Sequence, residues 1–334
     1  MYLSKTTEKA VQQYCELMIK TIEGLQQGWE KTWMVQGCLG AAQNINGREY
    51  TNMNQFMLSM LCEMNGYKYP VFMTRKQAND KGARVKKGEV SFPVLFWSFA
   101  AKKLDGGDKI TGEQYDGLTL AEKADYKTYY ILRAFNVFNV QQTTLQEDNP
   151  EAWQKIVDIY GETETMSTNT EGMYVNAKLD AMIENNTWCC PIELVEQNRA
   201  YWSPSKDKIV LPTKAQFKTT GDIYRDGQEF YATALHEMAH STGHQKRLNR
   251  IVEGASFGDI DYGREELVAE LTAATIGHRL GFNTAVQENN AAYLQSWLKQ
   301  IKQKPTFLIS VLSDVGKAVQ MIESYMDKAS SKTA

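Results

Sequence analysis

Ala234-Leu235-His236-Glu237-Met238-Ala239-His240 decides how this sequence is read. On a helix, His236 and His240 stand one turn apart and project from the same face. Two neutral imidazoles at that spacing can ligate one tetrahedral ion; the donors suit Zn2+, and Mn2+ or Co2+ could substitute. Glu237 sits beside the first imidazole, close enough to take a proton from a metal-bound water whose pKa the ion lowers to about 7. The chain has four histidines, and two of them fall in this pattern. Leu235, Met238 and Ala239 surround them with apolar side chains, as expected of a buried helix.

A third protein ligand would leave one coordination position open for water. The helix Arg264-Glu265-Glu266-Leu267-Val268-Ala269-Glu270-Leu271 supplies it. Glu266 and Glu270 are one turn apart and share a face. Glu266 is assigned as the ligand, and Glu270 as the carboxylate that reaches the back of a histidine and fixes its tautomer. Glu265 points elsewhere on the helix and is expected in solvent. His244 is no third ligand by the metzincin pattern, which holds its third histidine at the position of Lys246 here. It is expected instead to face carbonyls at the helix end. His278 is expected to be structural. Tyr201, Tyr231 and Arg264 are three candidates for stabilising an oxyanion.

Working outward, the segments beside this motif have a clear order. A helix is expected over 173–185, then extended segments at 192–196 and 200–202, turn chemistry at 203–208, and a strand at 209–212. The last two make a hairpin, either arm of which could be the edge on which an extended substrate lies. The motif helix should run over 228–242 and stop at Gly243. Another should run over 263–280, and two more, broken at Pro305, over 291–326.

The first half has a different texture. Val11, Tyr14, Met18, Ile22 and Leu25 recur at helical spacing, with Gly28 as a stop. A second helix covers 54–65, with Gln55, Ser59 and Glu63 on its wet face and Gly66 as its cap. Thr74 caps a short helix over 75–80 that ends at Gly82. Strands are expected at 90–99 and 129–140, separated by a polar, exposed excursion over 102–127. The architecture is therefore α+β in two domains: helices on a small sheet over 1–142, and the metal domain over 173–334. Between them, 143–172 is a polar linker with a short helix around Trp153 to Tyr160.

Composition bounds the function classes. Hydrophobic residues make up 43 % and charged residues 23 % of 334, the balance of a soluble globular protein. No apolar run reaches membrane-spanning length, and Met1 to Lys9 lacks the apolar core of a secretory signal, so a cytoplasmic protein without a membrane partner is expected. Five cysteines without framework spacing argue against a disulfide scaffold. Net charge is −3 but unevenly divided: residues 1–140 carry 18 Lys+Arg against 14 Asp+Glu, a balance of +4, which leaves −7 for the remainder. Lys68, Arg75, Lys76, Lys81, Arg84, Lys86 and Lys87 crowd one stretch, with Tyr67, Tyr69, Phe72, Phe92, Phe96 and Trp97 interleaved. Cations that track phosphates and ring faces that accept unpaired bases are what a single-strand binding surface needs. Lys68, Arg75, Lys76, Arg84, Lys86, Lys87 and Trp97 are its candidate DNA contacts.

Thr74-Arg75-Lys76-Gln77-Ala78, Val85-Lys86-Lys87-Gly88-Glu89, Phe96-Trp97-Ser98 and Phe135-Asn136-Val137-Phe138-Asn139-Val140 resemble the N-terminal domain of the ArdC-type antirestriction proteins. Tyr201-Trp202-Ser203-Pro204-Ser205, Ile209-Val210-Leu211-Pro212, Tyr231 to Glu237, Thr242-Gly243-His244 and Arg264 to Glu270 resemble the same family in its second half. The resemblance runs in order along most of the chain. It implies a single-stranded-DNA-binding domain joined to a zincin-like metallopeptidase domain, on proteins of conjugative elements that shield incoming DNA from host restriction. It also implies Glu266, rather than Glu270, as the third ligand of a gluzincin-like site. Three functions are then open: protection of entering single strands; a metallopeptidase that cleaves a host protein, such as a restriction component, with DNA binding for targeting; or a metal-stabilised module without catalysis.

Overall fold

The computed structural model describes residues 4–26, 32–34, 40–160, 168, 172–251, 259–282, 284–285 and 293–330. The first half runs α1 (Lys5–Gln26), β1 (Thr32–Met34), β2 (Gln43–Asn44), α2 (Asn52–Asn65), β3 (Val71–Met73), α3 (Arg75–Asp80), β4 (Phe92–Lys103), β5 (Lys109–Thr111), α4 (Gly112–Asp116), α5 (Leu120–Lys123) and β6 (Tyr126–Asn139). Two helices follow, α6 (Leu145–Asp148) and α7 (Pro150–Tyr160). The second half runs α8 (Ala177–Glu184), β7 (Ile192–Val195), β8 (Tyr201–Ser203), β9 (Lys208–Pro212), α9 (Ile223–Thr242), α10 (Ile260–Arg279), β10 (Thr284–Ala285), α11 (Leu294–Gln303) and α12 (Pro305–Ser330).

Five strands form the larger sheet in the order β2-β3-β6-β4-β5, antiparallel except where β2 meets β3. Its backbone is the β4–β6 ladder, which pairs Phe92 with Val137 and continues to Lys103 with Tyr126. The excursion expected over 102–127 is exposed but not structureless. Lys102 and Lys103 extend β4, β5 pairs with it, and α4 and α5 sit beyond, each opened by a capping box at Thr111 and Thr119. The small sheet, β7-β9-β8, holds the expected hairpin: β8 and β9 are antiparallel, with Tyr201 opposite Val210. Since β9 is central, β7 and β8 are the edges.

Local signals explain the ends of several elements. Thr74 accepts from the Gln77 amide while Gln77 reaches back, a capping box that starts α3. Gly66 takes the left-handed conformation (φ +64°) that ends α2. Asp222 accepts from the amides of Tyr224 and Arg225 and starts α9 one turn earlier than the apolar pattern suggests. The stop expected for α1 at Gly28 lies outside the described residues.

The wet face expected on α2 is a misreading. Gln55 and Ser59 are buried, and Gln55 donates to Ser59 across one turn. Polar side chains at helical spacing mark solvent only where no other element arrives, and α12 packs on α2 from the far end of the chain. A single apolar core runs through both halves. It joins Tyr14, Met18 and Ile22 of α1 and Phe56 and Met57 of α2 to Leu235 of α9, Leu267 of α10, and Leu308, Leu312 and Ile322 of α12. β1 also pairs with β10, Thr32 opposite Ala285. A smaller cluster under β3 takes in α7: Trp153 packs edge-on against Tyr69, and the Tyr160 hydroxyl donates to the Ala41 carbonyl.

At Gly227, α9 crosses the chain so closely that a Cβ would stand 2.7 Å from the Tyr174 amide nitrogen and 2.8 Å from its carbonyl oxygen. Alanine in a helix is worth ~1 kcal/mol over glycine, while overpacking against backbone costs ~1–3 kcal/mol. Gly227→Ala should therefore lower, not raise, the thermal unfolding midpoint.

Candidate metal centre

The two histidines leave α9 from one face, as their spacing requires, and Glu266 meets them from α10. His236 Nε2 and His240 Nε2 are 3.0 Å apart. The Glu266 carboxylate oxygens stand 3.4 Å from the first and 3.6 Å from the second. These three donors are the cluster of His, Cys, Asp or Glu side chains, among the described residues, whose ligand atoms all lie within 4.8 Å of one another. Two nitrogens at ~2.0–2.1 Å from a tetrahedral ion would be ~3.3 Å apart, so the observed spacing fits one divalent ion at their centre. Lone pairs converging at such distances repel unless a proton or a cation stands between them. The donor set therefore fits a metal of zinc type.

The surroundings orient these donors. Glu265 is not solvated as its helix position suggests. Its side chain is 13 % exposed and accepts from His240 Nδ1 at 3.2 Å. Arg250 holds the same carboxylate in a two-point grip, at 2.9 Å and 2.7 Å, and also donates to the Ala239 carbonyl and the Thr242 hydroxyl of α9. Burial opposes ionisation of Glu265, but His240 and Arg250 hold its carboxyl below the ordinary range. With Nδ1 donating, a neutral His240 would keep its Nε2 lone pair free for an ion between the three donors. Glu270 stands behind His236, its oxygen 4.0 Å from Nδ1, longer than a hydrogen bond.

Burial alone would push both imidazoles down. At His236 the Glu266 hydrogen bond and the charges of Glu237 and Glu270 together outweigh it, and at His240 Glu265 and Glu266, with the charge of Glu237, do so by more, so both are raised. The Glu266 carboxyl is correspondingly held low against its burial by the two imidazoles.

Glu237 is buried and accepts the Trp202 amide of β8 at 2.8 Å through Oε2. The edge strand and the glutamate are thereby tied together on one wall of a cleft of about 1300 Å³. The cleft is lined by Tyr201, Trp202, His236, Glu237, Tyr262 and Arg264, among others.

Of the three oxyanion candidates, Tyr231 is fully buried and donates to Asp180, away from the cleft. Tyr201 and Arg264 line it, and Arg264 is also paired with Asp314. Tyr262 was missed by the sequence reading. It lies one turn before Glu266, and burial followed by the Glu266 carboxylate raises its hydroxyl. His244 stands apart from the three donors. Its Nδ1 accepts from the Lys246 amide at 3.3 Å and is 3.8 Å from Asp207, so it faces an amide and a carboxylate rather than carbonyls. His278 is buried in α10.

The candidate DNA contacts divide. Lys68, Arg75, Lys76, Arg84, Lys86 and Lys87 are all exposed around β3, α3 and the end of β6. Arg75 lies over the Phe138 ring at 5.8 Å, and Lys86 donates to the Gln141 carbonyl. Trp97 is exposed too but pairs with Leu132, six residues and ~20 Å of strand rise from Phe138. Tyr69, Phe72 and Phe92, which interleave the basic stretch in sequence, are core.

Residues 8–138 match the family described as the N-terminal domain of anti-restriction factor ArdC, and residues 177–313 match the zincin-like metallopeptidases. Two proteins named DNA primase TraC, both from Escherichia coli, are 26 % and 29 % identical over 95 % and 92 % of this chain. The chain spans only 27 % and 20 % of their length. Crystal structures of the antirestriction protein ArdC from plasmid R388, metal-free and Mn(II)-bound, share the fold at TM-scores of 0.65 and 0.63 and 24 % identity. They cover 94 % of this chain and 98 % and 97 % of theirs. No helix among the described residues is long and apolar enough to cross a membrane. One α+β chain thus carries, in order, a stretch that matches the N-terminal domain of anti-restriction factor ArdC and a stretch that matches the zincin-like metallopeptidases.

Proposed function

We propose that this chain is an antirestriction protein of a conjugative element, which holds entering single-stranded DNA with its first half and carries a zinc peptidase centre in its second. The observation that carries the reading is the convergence of His236, His240 and Glu266 in a cleft that Glu237 also faces, in the same chain as an ArdC-type domain. The relatives support the DNA half. One pair is named for priming, which works on single-stranded template, and the solved neighbours are named for antirestriction. The reading requires the cytoplasm of the receiving cell.

His236, His240 and Glu266 would hold the ion, which when bound would supply Lewis acidity to a water and to a carbonyl. The residues of the chain do the rest. Glu237 receives the water's proton at the oxygen not engaged by Trp202, and can return it to a leaving amine. Arg250 and Glu265 keep the His240 ring in its donor orientation. β8 offers an edge on which an extended polypeptide can lie, beside the carboxylate that its own amide already holds. A host protein, such as a restriction component, is the substrate class this implies. A second reading, a metal-stabilised module without catalysis, draws on the same buried donors and is separated from the first by the Glu237 variant below.

Metal titration should give one zinc per chain for the parent and loss of that site in Glu266→Gln. Glu265→Gln should bind zinc about 10–100-fold more weakly. Since both imidazoles are raised and must lose protons to bind, zinc affinity should fall as pH is lowered, with protons released on binding. Glu237→Gln should retain metal and oligonucleotide binding but lose cleavage of a host-protein substrate, scored alongside in vivo protection from restriction. Protection that survives this variant but fails in His236→Ala/His240→Ala would favour the non-catalytic module. Oligothymidylate binding should be tight at low salt and weaken steeply as salt rises, by the counterion release that accompanies each neutralised phosphate; no binding at low salt would remove the DNA half of the proposal.

A further inference from the structure

The β4–β6 ladder leaves an aromatic surface uncovered. Phe96 and Phe135 stack with ring centroids 4.8 Å apart and planes within 10°, yet Phe135 is 51 % exposed. Opposed residues of an antiparallel pair share a face. The register pairs Val94 with Phe135, Phe96 with Arg133, Ala100 with Tyr129 and Lys102 with Lys127, so these side chains lie along one side of the sheet. Trp97 belongs to the other side.

Neither strand contains an aspartate or glutamate over 12 and 14 residues, while they carry Lys102, Lys103, Lys127 and Arg133. Beside the ring pair is a hollow of about 340 Å³, lined among others by Arg48, Tyr50 and Asn54, with one carboxylate, Glu49. The Asn54 amide is fixed on the Leu95 backbone at 2.6 Å and 2.7 Å, which holds that wall in place.

We propose that Phe96 and Phe135 form a stacking platform for an unpaired base of single-stranded DNA, with Arg48 and Arg133 beside it for the flanking phosphates. The proposal rests on the single-strand reading above and locates it. Ring faces open to solvent accept any base that is not held in a duplex. Cations next to the rings, Arg133 on a strand free of carboxylates and Arg48 on the wall of the hollow, complement the backbone such a base brings with it. A purely apolar protein partner would have no use for either arginine. From Phe135 the same face continues over Tyr129 to Lys127, eight residues and ~27 Å further on, room for several more nucleotides.

The test uses the full chain and fluorescence anisotropy with two probes of equal length, a short oligothymidylate and an oligomer of abasic sites. The parent should bind the base-bearing strand more tightly. Phe135→Ala should weaken that binding by about tenfold while leaving the abasic strand unchanged, and Phe135→Trp should restore the preference. Phe135→Leu, which keeps apolar bulk without a ring face, should behave like the alanine variant with an unchanged thermal midpoint; this separates stacking from packing. Arg133→Ala should weaken both probes and shallow the salt dependence. If the parent binds oligothymidylate and both Phe135→Ala and Phe135→Leu match it, the platform is overturned and the single-strand reading stands. If the parent binds neither probe, the single-strand reading itself falls, and the platform with it.

Discussion

Two imidazoles and a carboxylate buried between α9 and α10 must be compensated, and the metal domain is arranged around that requirement. Charged or polar groups taken out of water cost several kcal/mol each unless they are paired. Here the compensation is layered. Glu266 lies across both histidines, Glu265 backs one of them, and Arg250 closes the series while tying down the Ala239 carbonyl and the Thr242 hydroxyl near the end of α9. Loosening any member would leave another buried without a partner. The crossing of the two helices is therefore fixed by charge as well as by the apolar contacts of Leu235 and Leu267.

The same logic positions Glu237. A carboxylate adjacent to a ligand on a helix still has rotameric freedom, and the Trp202 amide removes it. Because that amide belongs to an edge strand, the strand and the carboxylate cannot drift independently. The geometry of the cleft is set by main chain on one wall and by helix spacing on the other.

How much of this could be read in the sequence depends on how far each answer lies along the chain. The convergence of His236, His240 and Glu266 was legible because a one-turn repeat on one helix is a local matter, and a second helix with acids one turn apart offered few choices. Glu265 was misread for the opposite reason. Nothing at position 265 announces that Arg250 will arrive from a loop and bury it together with His240. Tyr262 was within reach, since it precedes Glu266 by one turn. The helices and the hairpin were found from periodicity and turn chemistry, with ends displaced where a cap such as Asp222 began the element early. Gln55 and Ser59 failed because the helix packed on α2 comes from residues some 250 positions later. In the basic half, the cations were visible by composition. The aromatics that lie near them in sequence mostly went into the core, while one of the uncovered rings, Phe135, sits on a strand whose alternation of Tyr129, Ile131, Arg133 and Phe135 was the available signal.

The apolar interior shared by α1, α2 and α12, with β1 zipped to β10, has an evolutionary corollary. Recombination reassorts gene segments readily, and a chain built of two separately folding pieces could trade either one. This chain cannot do so freely. A recombinant that joined its first half to a foreign second half would have to match side chains across the seam between α2 and the last helix, or leave an oily scar in water. The two halves are thus expected to be inherited as a pair, and their sequences to drift in step along that seam.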